Sequence, residues 1–401
     1  MTSFPVSGRV DKMLSSSTFK AAQAAAMLRE QGHQVIDLTL GEPDFDTPQF
    51  IKEYAWEGLQ KGLTKYTASS GMKPFTEAVV DFYQKRFGAS FSAGEVVASC
   101  GGKQALFNAA CTLLNPGDDV LIPNPYWVTF PEIVTFCEAN RVYIDTEATD
   151  FVLTAEQVKD AITDKTRMLI LNSPSNPSGR VIPTAEMHRI IEACAERGVY
   201  VLTDECYLFF AYPPGEVFTS ATLPKELREF VCVAGSFSKT FAMTGWRIGY
   251  TIANETWSKA MVKLQSHSAS HPTSFVQYAC ARAMENGDES MAAVNSMLTE
   301  YERRRDWLIP ALNTIDGFKC GMPEGAFYAF VDVRGLIGDR FSTSADVADF
   351  MLNEAHVVVT DGDGFGAPGF LRFSYATSME NLHTTIERLS KIFGTTSATA
   401  A

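Results

Sequence analysis

Between residues 96 and 252, short apolar runs alternate with stretches of helical periodicity. The runs fall at 96–99, 119–122, 141–144, 167–172, 199–204, 230–234 and 247–252. Several are apolar at successive positions, as in Met168-Leu169-Ile170-Leu171. That is the pattern of strands buried on both faces of a largely parallel sheet. Helical periodicity fills the gaps, for instance at 103–114 and 184–197. The second of these has Pro183-Thr184 at its start and Gly198 just past its end, good start and stop signals. Strands alternating with helices predict an α/β fold, a mostly parallel seven-stranded sheet with helices on both faces. A long helical stretch follows at about 254–313, then strands at 326–333, 356–360 and 370–375 with a helix at 344–354. This second pattern predicts a small α+β unit, against which an N-terminal helix at 18–31 is expected to pack. The expected division is a large domain at 46–290 and a discontinuous small domain at 10–45 and 291–393. An N-terminal arm at 1–9 and a disordered tail at 394–401 complete it.

Composition narrows what such a chain can do. A length of 401 residues fits two or three domains of about 150 residues each. Lys and Arg number 34 against 47 Asp and Glu, a formal net charge of −13. Phosphate backbones are gripped by clustered basic side chains, so this balance argues against a broad nucleic-acid-binding face. It equally disfavours a polybasic membrane-surface protein. No apolar run reaches the length of about 18 residues that spans a bilayer, so no membrane partner is expected. Residues 1–20 hold no continuous apolar core of the signal-peptide kind, and a cytoplasmic protein is expected. The eight cysteines, Cys100, Cys111, Cys137, Cys194, Cys206, Cys232, Cys280 and Cys320, are scattered, with no C-x-x-C pair. Buried, reduced thiols are expected, with neither disulfide nor metal roles.

Ligands of open α/β sheets bind beyond the carboxyl ends of the strands, so the residues after each run carry the chemistry. After 230–234 comes Gly235-Ser236-Phe237-Ser238-Lys239, with Arg247 eight residues beyond the lysine. An amine so placed can condense with an aldehyde, while the serines and the arginine grip a phosphate. After 199–203 comes Asp204-Glu205-Cys206-Tyr207, a carboxylate and a phenol able to meet a cationic ring nitrogen and a ring oxygen. Alone, Asp204 reads equally as a helix cap. Asn176 sits in the rigid turn Asn172-Ser173-Pro174-Ser175-Asn176-Pro177, offering a fixed amide. Gly101-Gly102-Lys103-Gln104 leads from a strand into a helix, a cradle of backbone N–H groups for an anion. It lacks the G-x-x-x-x-G-K-[ST] spacing of a nucleotide P-loop. Arg372, inside the apolar Leu371-Arg372-Phe373, needs a carboxylate from the protein or a substrate.

Together these blocks resemble the fold-type I, class I pyridoxal-phosphate aminotransferases, and within them the bacterial Iγ aspartate aminotransferases. The resemblance runs from about residue 9 to 392. It includes Leu40-Gly41-Glu42-Pro43-Asp44-Phe45-Asp46-Thr47-Pro48, Lys65-Tyr66, Gly101 to Asn108, and Pro125-Tyr126-Trp127-Val128. Its most specific block is Ser236-x-Ser238-Lys239 with Arg247. The resemblance implies pyridoxal 5′-phosphate as cofactor and ping-pong transfer of an amino group. Lys239 would hold the cofactor and move the α-proton, Asp204 would keep the ring nitrogen protonated, and Asn176 and Tyr207 would bond the ring oxygen. Trp127 would stack on the ring, and Gly102, Lys103, Gln104, Ser236, Ser238 and Arg247 would form the phosphate cup. Tyr66 would reach the phosphate of a neighbouring subunit, implying a homodimer with shared sites. Arg372, assisted by Gly41, would bind the substrate α-carboxylate. Lys103, reached across the dimer and helped by hydroxyls among Ser16, Ser17 and Thr18, would bind a distal carboxylate, favouring aspartate and glutamate. Relatives that accept prephenate use a basic residue where this chain has Leu14, flanked by Lys12. Preference for alanine, aromatic amino acids or prephenate, and β-lyase chemistry, stay open as alternatives. A non-catalytic, cofactor-binding regulator is the third possibility, although the chain has no spare segment for a DNA-reading domain.

Overall fold

The computed structural model describes residues 5–14, 17–213, 217–338 and 340–395, the side chains of 17–22 and 24 excepted. Of the tail expected to be disordered at 394–401, residues 396–401 lie outside the described residues, whereas Gly394 accepts from the Asp316 nitrogen and Thr395 bridges to Ile315, so the first two residues are ordered. The strands through the first half are β1 (Ile36–Asp37), β2 (Val96–Ser99), β3 (Asp119–Asn124), β4 (Asn140–Asp145) and β5 (Thr166–Asn172). They continue with β6 (Tyr200–Asp204), β7 (Val231–Ser236), β8 (Gly249–Ile252), β9 (Lys319–Cys320) and β10 (Tyr328–Asp332). The last are β11 (Val357–Val358), β12 (Thr360–Asp361) and β13 (Phe370–Ser374).

Seven of them form one sheet in the order β2-β8-β7-β6-β5-β3-β4. Every pairing is parallel except those of β8, which runs against both β2 and β7. Burial on both faces is visible within β5. Met168 and Ile170 enter one apolar cluster, with Leu106, Val120 and Leu202. Leu169 and Leu171 enter another, with Phe75, Val79 and Val201. A second sheet, β12-β13-β10-β9, is antiparallel throughout and has its own core around Tyr301, Phe327, Leu371, Phe373 and Leu389. The helix Ser17–Glu30 sets Ala25 and Leu28 against Leu352 and Val358 of the C-terminal segment, as its pattern predicted. Among the described residues, no helix is long and apolar enough to cross a membrane.

Three elements differ from expectation. The long helical stretch is three helices, Glu255–Ser266, Ser274–Glu285 and Gly287–Leu312. Ser270 at φ 60° and Pro272, which has no N–H to donate, interrupt the first gap. The run at 356–360 feeds two sheets, since β11 pairs with β1 and β12 with β13. The helix at 344–354 is α-helical over Ser344–Phe350 and widens to a π turn over Met351–Ala355.

The reversed strand matters most. Its first residue, Gly249, lies beside Ser99 at the end of β2 and Ser236 at the end of β7. Arg247, two residues ahead, therefore sits at the carboxyl edge of the other six strands. Parallel neighbours place Asn172 beside Asp204, and Asp204 beside Ala234, at the same edge. Glycine is needed here. A Cβ on Gly249 would stand 2.7 Å from the Gly102 nitrogen, 2.8 Å from the Gly101 carbonyl carbon and 2.8 Å from the Gly235 oxygen. Gly249→Ala is expected to cost about 1–3 kcal/mol, the range for forced overpacking, read as a lower denaturant midpoint. Gly245→Ala, facing open space, is the matched control and should move it far less.

Candidate active site

A cavity of about 390 Å³ opens at this edge, between the two sheets. Gly41, Gly102, Lys103, Trp127, Asn176, Asp204, Tyr207, Ser236, Ser238, Lys239, Arg247 and Arg372 all line it. They come from distant parts of the chain and meet because the strand ends align.

The Lys239 turn follows directly from β7. Ser236 caps the short helix Phe237–Thr240, its Oγ accepting from the Ser238 nitrogen at 3.1 Å. Burial pushes the Lys239 amine below its usual pKa and Arg247 adds repulsion, while Cys206, Glu42 and Asp204 oppose the shift. A lysine partly relieved of its proton is the form that can act as nucleophile or base. Asp204 ends β6, 7% exposed, and burial raises its carboxyl to about 6 despite the Cys206 N–H and Lys239. One of its oxygens accepts from the Cys206 nitrogen at 3.0 Å, and the other has no donor among the described residues.

Asn172 braces this edge. Its amide donates to the Asp204 carbonyl at 3.0 Å and its oxygen accepts from the Asn176 nitrogen at 2.8 Å. Asn176 in turn accepts from Arg372 Nη1 at 2.9 Å. A guanidinium only donates, so this contact fixes which end of the Asn176 amide is its oxygen and leaves the NH₂ for a ligand.

Arg372 rises from β13, only 3% exposed. Nη2 donates to the Thr39 carbonyl at 2.7 Å and to Thr360 Oγ1 at 3.3 Å, while Nε is buried without an acceptor. The rings of Tyr328 and Phe365 lie 4.6 and 4.9 Å from the guanidinium. All these partners are neutral. Lys103, Lys239, Arg247 and Arg372 make no ion pair among the described residues. Lys103 Nζ sits 4.9 Å from the Trp127 ring centre, and burial, Arg247 and Lys239 lower its pKa. Arg247, at φ 55°, is held by the Thr244 carbonyl at 2.8 Å. Opposite it begins the helix Gly102–Leu113, whose first N–H groups have no partner within the helix. Helix start, serines and arginine together make a site for a phosphate.

Two expected residues, Gln104 and Tyr66, are not in the cavity lining. Gln104 turns its side chain back to accept from the Cys100 nitrogen at 2.6 Å, leaving only its backbone N–H toward the helix start. Tyr66 is 92% exposed, its ring 5.7 Å from that of His271. The Thr18 side chain, like Ser16 and the Ser17 side chain, lies outside the described residues. The cavity also holds side chains that sequence reasoning passed over. Tyr328 places its hydroxyl 2.6 Å from that of Tyr207, and a Cβ on Gly41 would stand 2.7 Å from the Tyr328 oxygen. Phe365, Thr39 and Cys206 also line the cavity.

The family model for aminotransferase class I and II matches residues 33–389. The chain belongs to the class I and II aminotransferases. A probable aspartate/prephenate aminotransferase of Aquifex aeolicus is 38% identical over 96% of this chain and 98% of its own length. An aspartate aminotransferase of Geobacillus stearothermophilus is 38% identical over 96% and 97%. The structure of the Thermus thermophilus aspartate aminotransferase with maleate superimposes with a TM-score of 0.92. It is 37% identical and covers 97% of this chain and all of its own.

This aminotransferase is thus a pyridoxal-phosphate-dependent transaminase, taking amino acids and oxo acids. The cavity fits that cofactor: a buried amine for an aldehyde, a carboxylate with one free oxygen for a ring nitrogen, an indole face, and a phosphate cup. Holding Asp204 ready has a cost. Its folded pKa lies above the unfolded value of 3.8, so the carboxyl opposes folding as pH rises through about 6. In cofactor-free protein at pH 8, Asp204→Asn is expected to raise stability by about 3 kcal/mol. That gain should vanish below about pH 4, which denaturant melts across pH would read.

Proposed function

We propose that this aminotransferase moves the amino group of L-aspartate or L-glutamate to a 2-oxo acid by a ping-pong mechanism, with oxaloacetate and 2-oxoglutarate as the keto partners. The observation that carries the proposal is a pair of cations in one cavity with no anion of their own, Arg372 and Lys103. Arg372 can fork onto an α-carboxylate, and Lys103 offers a second charge for a distal one. Names of relatives support the reading, among them the aspartate aminotransferase of Geobacillus and the Thermus enzyme solved with maleate, a dicarboxylate.

The cofactor, when bound, supplies an aldehyde carbon that takes up the amino group and a ring that accepts electrons. The protein does the rest. Lys239 would hold the cofactor through its amine and, once released from it, would take the proton from the substrate α-carbon and give it back to complete the transfer. Asp204 keeps a proton on the ring nitrogen through its free oxygen. Asn176 and Tyr207 donate to the ring oxygen. Trp127 covers the ring face. Gly102, Lys103 and Gln104 present backbone N–H groups to the phosphate beside Ser236, Ser238 and Arg247. Gly41 lends its backbone to the carboxylate on Arg372.

The wider organisation belongs to the same proposal. Residues 46–290 form the cofactor domain, and 10–45 with 291–393 the small domain. Two copies pair as a homodimer, in which the exposed Tyr66 reaches the partner's phosphate. The enzyme works in the cytoplasm. Prephenate is the second reading, carried by the name of the Aquifex relative. Against it stands Leu14, 74% exposed and not basic.

A half-reaction screen tests the substrate. Mixed with single amino acids, the holoenzyme should show a rapid change of its visible cofactor band with aspartate and glutamate. A fast change with alanine and none with aspartate would overturn the dicarboxylate reading. Lys103→Ala should lower kcat/KM for aspartate by about 10–100-fold, as for a lost charged hydrogen bond, with alanine little affected. Lys239→Ala should still bind cofactor yet turn over negligibly. Transamination near the wild-type rate by that variant would remove Lys239 from the chemistry.

A further inference from the structure

Cys111 and Cys137 stand 26 positions apart in the chain, yet their sulfurs are 3.4 Å apart. No catalytic role requires them. Cys111 lies in the last turn of the helix Gly102–Leu113, and Cys137 directly follows the helix Thr129–Phe136. One turn before Cys111, Phe107 meets Phe136 with ring centres 4.8 Å apart. Aromatic pair and sulfur pair are thus adjacent rungs of one seam between the two helices. Both thiols are only partly buried, unlike Cys194, Cys232, Cys280 and Cys320.

We propose that Cys111 and Cys137 form a dithiol modification site, which a small disulfide oxidant converts reversibly into an intrachain disulfide. Closing the bond needs an approach of about 1.4 Å, from 3.4 Å to the S–S length of about 2.05 Å. Chemistry at the pair has a direction. Either sulfur could donate the shared hydrogen bond; with Cys111 donating, Cys137 is the easier thiol to ionise and Cys111 is held protonated, while Arg9 favours ionisation of both. Cys137 thiolate attacks the oxidant RSSR, forming a mixed disulfide and releasing RS⁻. Cys111 then loses its proton and attacks the Cys137 sulfur, releasing the second RS⁻. The net change is two protein thiols plus RSSR giving one protein disulfide plus two RSH, with both electrons passing to the oxidant. Excess thiol reverses it. Cytosolic disulfides, where they occur, are mostly of this transient kind.

The bond would fasten two elements that frame the cavity. One helix begins at Gly102 and Lys103, and the other follows Trp127 and Val128, all four lining the site. The experiment incubates native holoenzyme with oxidised glutathione, quenches it with an alkylating agent under denaturing conditions, and maps the peptides by mass. Wild type should yield a Cys111–Cys137 cross-linked peptide that dithiothreitol removes. Cys111→Ser should instead accumulate a glutathione adduct on Cys137, because the resolving thiol is gone. Cys137→Ser should give neither. Both cysteines alkylated in wild type, or a persistent adduct on wild-type Cys137, would overturn the proposal. A cofactor band equal to that of untreated enzyme shows that each variant is folded when tested.

Discussion

Arg372 carries a full positive charge out of water and meets no anion there. Its hydrogen-bond acceptors are the Asn176 amide, the Thr39 carbonyl and the Thr360 hydroxyl, and the rings of Tyr328 and Phe365 lie close to it. Neutral acceptors soften the burial of a guanidinium without neutralising it, and burial still depresses its pKa. Such a group is stable in place only because the surrounding structure holds it, and it gains most from a carboxylate brought by a ligand. The site is arranged around that imbalance. Asn176, which anchors Arg372, belongs to the turn after β5 and is itself anchored by Asn172, which also grips the end of β6. In the proposed function, a substrate carboxylate, the cofactor's ring oxygen and the Asp204 strand end would therefore be linked through three side chains.

The same logic governs the opposite end of the cavity. Lys103, Lys239 and Arg247 repel one another, and burial together with that repulsion lowers the two amines. A dianionic phosphate against the helix start relieves the repulsion; Asp204 alone cannot. Net charge says nothing about this. The chain carries −13 overall, yet its cavity is cationic. Some acidic residues elsewhere sit in exposed pairs such as Lys259–Glu255 and Lys391–Glu387, which add little to stability.

Much of this was readable from the residues. Apolar runs located the seven strands of the large sheet to within a residue or two, and polar residues after them located Lys239, Asp204 and Asn176. An arginine inside Leu371-Arg372-Phe373 flagged itself, because apolar strands rarely hold an unpaired charge. Other features left no such mark. The direction of β8 has no signature, since a strand buried on both faces reads alike either way. Tyr328 and Phe365 look like ordinary core aromatics; only the pairing of β10 with β13 sets Tyr328 against Arg372. Gln104 was placed by its neighbours in sequence, but its side chain satisfies a nearer donor, the Cys100 nitrogen. Scattered cysteines suggested isolated buried thiols, and only helix packing brings Cys111 to Cys137.

Groups held out of their preferred state make the cavity a weak point in an otherwise well-packed fold. Three charged side chains resist burial, and Asp204 resists ionisation. The apolar faces of β5, β6 and β7 oppose that cost. Cofactor binding must then feed back on stability, because a ligand that binds only the folded form adds about 2.7 kcal/mol at a hundred times its Kd. The gain is felt in both sheets. Lys239 and Asp204 belong to the large one and Arg372 to the small one, and Arg372 already bonds across the gap to Asn176. Ion pairs Arg334–Glu147 at 2.7 Å and Arg180–Asp150, with the Arg180 bond to the Met322 carbonyl at 3.0 Å, hold the same junction at its rim. On the proposed reading, a substrate carboxylate seated on Arg372 would sit on the joint between the two cores, so the interaction proposed to recognise substrate is also one that can tighten the junction.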